Sequence, residues 1–317
     1  MKGGDCLGVV LSLVIAVVSF LLSEVHPSFD ALVVSIIFGM LLSNMLAKRD
    51  QIQKGIDTML RFFLPVGIAL YGTQLTFGNN VDYRTWLSII ALFLFSFVLT
   101  LLVARFFRLP GKLSVLLASG LAICGASAIA VISPLIGAKK EDTSISIISI
   151  MVVGLLSVVF YPALWGAMGL TFKEFAFFSG TTIPMLGQVK IAVLEGGADG
   201  ISLAVRFKLI RVSMLLFVAI AMLFVYGRRQ KGSSIPWFMV AFVFFVILAN
   251  FEERMSSLSR VFEPASKFFL SSALAAIGLS VDFDSITVEG AKPLYVVFLS
   301  WLVLSLIIFA GLRLFHV

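Results

Sequence analysis

The chain has little of what a soluble enzyme works with. Its 317 residues include only two histidines and two cysteines, and charged residues make up 13%. His26 and His316 fall at a membrane border and at the terminus, so no general base can be named for a nucleophile such as Ser127. Gly125-Ala-Ser127 resembles the start of a protease Gly-x-Ser-Gly, but residue 128 is Ala, and an enzyme is not expected. Cys6 and Cys124 both lie in apolar runs, which argues against a structural disulfide. No cluster has metal-ligand spacing, so neither metal nor cofactor is expected. The seventeen acidic residues all lie in loops or within a turn or two of predicted helix ends. Proton and sodium antiporters commonly place carboxylates mid-membrane, so that class is disfavoured. No polar stretch is long enough for a soluble domain.

What the chain does have is apolar length. It is 60% hydrophobic with a mean hydropathy of +1.09, which defines an all-α polytopic membrane protein. Apolar runs fall near 6–25, 30–47, 56–76, 84–105, 144–170, 200–226, 235–251, 258–280 and 292–314. They predict about nine full crossings. The first run follows Lys2 as a signal peptide would, but no small-x-small site precedes Glu24 and the next run follows at once. It reads as a retained helix. Pro162 is expected to kink its helix, and Glu263-Pro264 to sit near a helix start, where Pro is tolerated. The net charge of +7 is spread over loops and reads as topology rather than nucleic-acid binding.

Two further runs, 113–138 and 173–197, are interrupted at Ser119-Gly-Leu-Ala-Ile-Cys-Gly-Ala-Ser127 and Ser179-Gly-Thr-Thr-Ile-Pro-Met-Leu-Gly-Gln188. Backbone that leaves the helix inside hydrocarbon exposes unsatisfied N–H and C=O groups, unless it lines a polar cavity or binds something. The basic loops Ala47–Lys54, Arg105–Lys112 and Tyr226–Gly232 place the N-terminus in the cytoplasm. Arg105–Lys112 and Lys139-Lys140 flank the first interrupted run, and a re-entrant hairpin puts both on one side.

The chain matches itself at two offsets. At 206 residues, Val34, Phe38, Leu42, Asn44, Ala69, Gly72 and Phe77 meet Val240, Phe244, Leu248, Asn250, Ala275, Gly278 and Phe283. At 60 residues, Ser119, Gly120, Ile123, Gly137 and Ala138 meet Ser179, Gly180, Ile183, Gly197 and Ala198. The organisation expected is one integral membrane domain: an extra helix (1–28), a three-helix repeat (29–112), two broken units (113–171 and 172–232) and a second three-helix repeat (233–317). Inverted repeats with broken helices meeting at the midplane are a transporter architecture.

At the first break, Cys124, Gly125 and Ser127 stand beside a helix N-terminus, the chemistry of an anion cradle; small-residue packing is the alternative. At the second, Thr181, Thr182 and Gln188 bring polar side chains, and Pro184 removes a donor. Gln188 either holds a ligand oxygen or satisfies freed backbone. Lys208 and Arg211 share a helix face, and Arg211 lies roughly 16 Å deep at 1.5 Å per residue. Cations at that depth should face a cavity or an anion. Arg206 and Lys190 read as structural, snorkelling or pairing with acids such as Glu195. Asn44, Asn250 and Gln74 read as interhelical hydrogen-bonding groups.

At these residues the sequence resembles the YeiH-like family of bacterial inner-membrane proteins, often labelled sulfate exporters. The likeness covers nearly the whole chain. It shows in Gly67-Ile-Ala-Leu-Tyr-Gly-Thr-Gln-Leu-Thr-Phe77, Ile123-Cys-Gly-Ala-Ser-Ala128, Pro134-Leu-Ile-Gly-Ala138, Lys208-Leu-Ile-Arg211 and Ala275-Ala-Ile-Gly-Leu279. The resemblance implies an inner-membrane exporter of sulfate or a sulfonate-like anion. The family typically carries a His-acid pair before Gln-Val at the second break; here those positions are Pro184 and Met185, ahead of Gln188 and Val189. The function expected is secondary transport of a small anion at Cys124, Gly125, Ser127, Thr182, Gln188, Lys208 and Arg211. The alternative is a cation or proton antiporter, or a channel, of similar fold. The partners expected are the anion and the lipid bilayer, not nucleic acid; a homodimer is left open.

Overall fold

The computed structural model describes residues 3–25, 30–45, 52–74, 82–227, 237–251, 256–280 and 291–315. His26, His316 and the Phe77–Phe283 match lie outside the described residues, as do residues 46–51 and 228–236. The described residues form α-helices joined by short turns, with no strand among them. An N-terminal helix, α1 (Gly3–Val25), precedes α2 (Ala31–Met45), α3 (Gln53–Tyr71) and α4 (Tyr83–Phe106). The first interrupted unit is α5 (Gly111–Ala122), α6 (Ala126–Ile136) and α7 (Lys140–Met168). The second is α8 (Phe172–Thr182), α9 (Leu186–Ala192) and α10 (Gly197–Gly227). The chain closes with α11 (Trp237–Phe251), α12 (Ser256–Ser280) and α13 (Lys292–Phe315).

Among the described residues, five helices are long and apolar enough to cross a membrane: Leu7–Val25, Tyr83–Phe106, Lys140–Met168, Asp199–Tyr226 and Lys292–Leu314. Large apolar side chains such as Leu87, Leu102 and Val159 point outward from them. In a membrane this is the lipid-facing side, where no hydrophobic penalty applies. α2 and α11 have 15 residues each, and both border residues outside the described set. α12 begins at Ser256, so Pro264 lies in its interior and not near its start. The apolar run understated the helix because its first turns, Ser256-Ser-Leu-Ser-Arg260, are polar. α8 starts on a capping box: the Thr171 hydroxyl accepts the Glu174 N–H at 3.3 Å, and the Glu174 carboxylate accepts the Thr171 N–H at 2.7 Å.

The chain divides into two compact units. The first comprises Met1–Thr76, Ala130–Ser144 and Ala219–Val288. Its core is α2 and α3 against α12, with α1 laid over α3 and α12. Ile52, Ile56, Met59, Ala275, Ala276 and Leu279 fill it. The 206-residue repeat is visible in its packing. A Cβ on Gly278 would strike the Ile36 carbonyl and the Gly39 Cα; one on Gly72 would strike the Phe242 carbonyl and the Phe245 Cβ. Each residue of one contact lies 206 positions from its counterpart in the other. Small residues allow both close crossings, since bilayer lipid is as apolar as Leu and association must come from contact. Asn44 and Asn250, read as interhelical groups, each donate Nδ2 to the carbonyl four residues back in their own helix, at 2.7 and 2.8 Å. The same local bond recurs in both repeats.

The second unit comprises Phe77–Ile129, Ile145–Val218 and Glu289–Val317. α4 packs on α5 and α13, and α13 on α8. Tyr161 lies between Phe178, 4.7 Å away by ring centroids, and Trp301, 5.9 Å away. Its hydroxyl is hydrogen-bonded to Ser305 at 2.8 Å. Both helix breaks belong to this unit.

Candidate functional site

At the first break α5 ends at Ala122, and Ile123 leaves helical geometry at φ −110°, ψ −90°. Gly125 follows at φ +71°, where a side chain would be strained. Its N–H donates to the Gly120 carbonyl at 2.9 Å, and α6 starts at Ala126. The chain turns back on itself here. A Cβ on Gly120 would lie 2.8 Å from Ile129 Cδ1, although nine residues of unbroken helix would separate the two by about 13 Å. At the second break Ile183 and Met185 are extended around Pro184. The Phe172 ring at the start of α8 lies on Gly196 and Gly200, beyond α9. Entry and exit of that unit are therefore adjacent. Both runs turn back on themselves as helical hairpins.

The tips touch. Gly125 lies under Met185, with room for a Cβ only 2.7 Å from Met185 Cγ. These two residues are 60 apart, so the repeat brings equivalent positions together.

Lys208 and Arg211, at 0% and 1% exposure, are among the largest fully buried side chains. They reach into both breaks. Arg211 Nε donates to the Ala122 carbonyl at 2.8 Å and Nη2 to Leu121 at 2.6 Å. Nη1 donates to the Thr181 carbonyl. Leu121 and Thr181 are equivalent positions of the repeat, so one planar guanidinium holds the C-terminal ends of both half-helices. Lys208 Nζ donates to the Ile183 carbonyl at 2.6 Å. A helix end carries orphan carbonyls and a partial negative charge, and cations belong there. Among the described residues neither cation forms a salt bridge.

The other expected site residues take distinct places. Cys124 is buried within the first break and forms no disulfide among the described residues. Ser127 is half-buried in the first turn of α6. Thr182 is buried, but its hydroxyl donates to the Phe178 carbonyl at 2.7 Å, which leaves only acceptor lone pairs. Thr181 likewise donates to Phe177 at 2.6 Å. Gln188 is 3% exposed, its Nε2 toward the Met151 carbonyl at 3.5 Å and its Oε1 without a donor. Its carboxamide lies on Gly154, where a Cβ would overlap it. Lys190 and Arg206 are exposed, in line with a structural reading.

Sequence reasoning missed Ser179 and Gly154, and it missed which carbonyls the cations take. The hydroxyl of Ser179, in the last turn of α8, is buried with no partner. Its repeat position pointed to it. Nothing local marks Gly154, whose role depends on α9 lying over α7.

Helices that stop within a bilayer-length run, meet tip to tip and are tied by buried cations define a polytopic all-α membrane protein with paired helical hairpins. The chain belongs to the family described as Conserved hypothetical protein 698, a YeiH-like membrane family whose model matches residues 7–297. It is 30% identical over 300 residues to a UPF0324 membrane protein of Archaeoglobus fulgidus, covering 92% of this chain and 88% of that one. An Agrobacterium fabrum UPF0324 membrane protein is 31% identical over 291 residues, covering 90% and 84%. One from Staphylococcus aureus (strain MSSA476) is 27% identical over 314 residues, covering 96% and 95%. No solved structure matches.

Proposed function

We propose that the protein is a secondary transporter of a small anion, with the substrate held where the two hairpin tips meet. The observation that carries this reading is the pair Lys208 and Arg211, fully buried and without a carboxylate partner among the described residues. Together they hold eight N–H donors, of which the four bonds to backbone carbonyls use four. Buried donors are nearly always satisfied, so the remainder calls for an acceptor from outside the chain. The cations also cover the negative ends of α5 and α8. What the break leaves uncovered includes the N-terminus of α6, of positive polarity. Sulfate or a sulfonate-like anion is the substrate class that the family resemblance suggests. The protein acts without catalytic chemistry, in a bacterial inner membrane, with its N-terminus in the cytoplasm.

A ligand-induced stability screen of the detergent-purified protein tests this, with sulfate, sulfite, sulfonates, hydrogencarbonate, halides and carboxylates. Stabilisation by at least one anion is expected, and it should be lost in Lys208→Ala and Arg211→Ala. Unchanged anion responses in both variants refute the assigned roles.

A further inference from the structure

The second break differs from the first in the groups it leaves without partners. At the first, Ser119 donates to the Val115 carbonyl at 2.8 Å, and the residue equivalent to Gln188 is Ala128. At the second, the Ser179 hydroxyl and Gln188 Oε1 are both buried and unpartnered among the described residues. They stand on the two helix ends that flank Ile183, whose carbonyl holds Lys208.

The Gln188 amide has a defined sense. Its Nε2 faces the Met151 carbonyl, and the flipped amide would set oxygen against oxygen. Oε1 is therefore the bare atom, and a carbonyl oxygen only accepts. Thr181 and Thr182 have already given their hydroxyl hydrogens to their own helix, so they too present only lone pairs. Cations that need an acceptor thus adjoin a break in which Gln188 Oε1, a pure acceptor, needs a donor, while the Ser179 hydroxyl can give or take a hydrogen.

A bare oxyanion such as nitrate meets the first need and not the second; set against Gln188 Oε1 it would place lone pair on lone pair. We infer that the substrate is an oxyanion that carries its own O–H or N–H, the charged oxygens toward Lys208 and Arg211 and the donor toward Gln188 Oε1. This rests on the anion-transport reading and narrows it. The class includes hydrogencarbonate, hydrogensulfite and hydroxyalkyl sulfonates. It excludes halides, nitrate, unsubstituted alkyl sulfonates and fully ionised sulfate as preferred ligands, so within the class the family resemblance suggests it keeps only the members that carry a hydrogen. A site built to pair a substrate hydrogen discriminates strongly against the analogue that lacks it, because a buried polar group is then left unpaired.

The test uses matched probes on the full-length protein in detergent or nanodiscs: hydrogencarbonate against nitrate, which share shape and charge, and 2-hydroxyethanesulfonate against ethanesulfonate. The donor-bearing member of at least one pair should bind about tenfold more tightly or better. Gln188→Met keeps the length and removes the acceptor. It should bring that preference to within about twofold, chiefly by weakening the donor-bearing member. Gln188→Leu, which also lacks the acceptor, serves as the companion variant should Gln188→Met fail to fold, and it should lose the same preference. Equal binding of both members by the wild type overturns this inference and leaves anion transport standing. No binding by any probe, including sulfate and sulfite, overturns both.

Discussion

The two hairpins are copies of one unit, yet they do unequal work. Both stop a half-helix at equivalent positions, Leu121-Ala122 and Thr181-Thr182. The long helix that follows the second hairpin carries Lys208 and Arg211; the one that follows the first carries Ile148 and Met151 at those places. Gly125 gives the first tip its tight turn, whereas Pro184 and Met185 hold the second extended. Duplication supplied two broken helices with orphan carbonyls, and divergence supplied one arginine that serves both. A second arginine would add a third cation to a low-dielectric site that already holds Lys208 and Arg211, at a cost of several kcal/mol, roughly. One guanidinium with five donors avoids this.

Erasing the asymmetry is the most severe way to test it. Arg211→Met copies the first repeat into the second and orphans three buried carbonyls. At about 1–3 kcal/mol for each buried group left unsatisfied, offset by removal of a buried charge, a net loss of about 3 kcal/mol or more is expected. Thermal melts in detergent should show a drop of roughly 6–12 °C, together with loss of any anion response. A melt within a degree or two of wild type contradicts the clasp.

Lys208→Met orphans one carbonyl rather than three. The expected destabilisation is about 1–3 kcal/mol, read in the same melts, with anion binding abolished as fully as in the arginine variant. If anion binding survives with stability reduced, Lys208 is a structural cap only.

Gly125→Ala sharpens the contrast between the tips. The added methyl meets Met185 and the backbone is in the left-handed region, so a cost of about 1–2 kcal/mol is expected. The double variant Gly125→Ala/Met185→Ala removes the collision and should recover part of that loss. A full loss in the double variant assigns the whole effect to backbone strain.

The smallest effect belongs to the cations outside the breaks. Lys190→Ala and Arg206→Ala are exposed-site changes and should alter stability by less than about 0.5 kcal/mol, with anion binding unchanged. An anion response that falls in either variant moves the substrate path away from the tips.

Much of this was legible from local signals. Gly125, Pro184 and the small residues around them mark the breaks, because helix-breaking is a property of a few neighbouring residues. The 206-residue repeat was legible too, and the paired Gly72 and Gly278 contacts bear it out. Pro264 was misplaced because polar first turns hide a helix start from a hydropathy reading. The cations were legible as buried, but their partners were not. Sequence reasoning aimed Lys208 and Arg211 at a ligand, and half of their donors go to backbone carbonyls instead. Thr182 read only as a polar side chain; that its hydrogen goes to the Phe178 carbonyl was not legible, since a hydroxyl bonded to its own helix leaves no trace in the sequence.

By itself the sequence determined the membrane class, the two internal offsets and the positions of both breaks, and it marked Lys208 and Arg211 as cations inside an apolar helix. Those depend on composition, periodicity and residue chemistry over short spans. Only the tertiary structure decided that the hairpin tips meet, that Arg211 spans both and that Gln188 is left with a bare oxygen. Arg211 reaches carbonyls 30 and 90 residues away along the chain. No local pattern encodes that choice, because it is made by whichever orphan groups the packed helices bring within reach of one side chain.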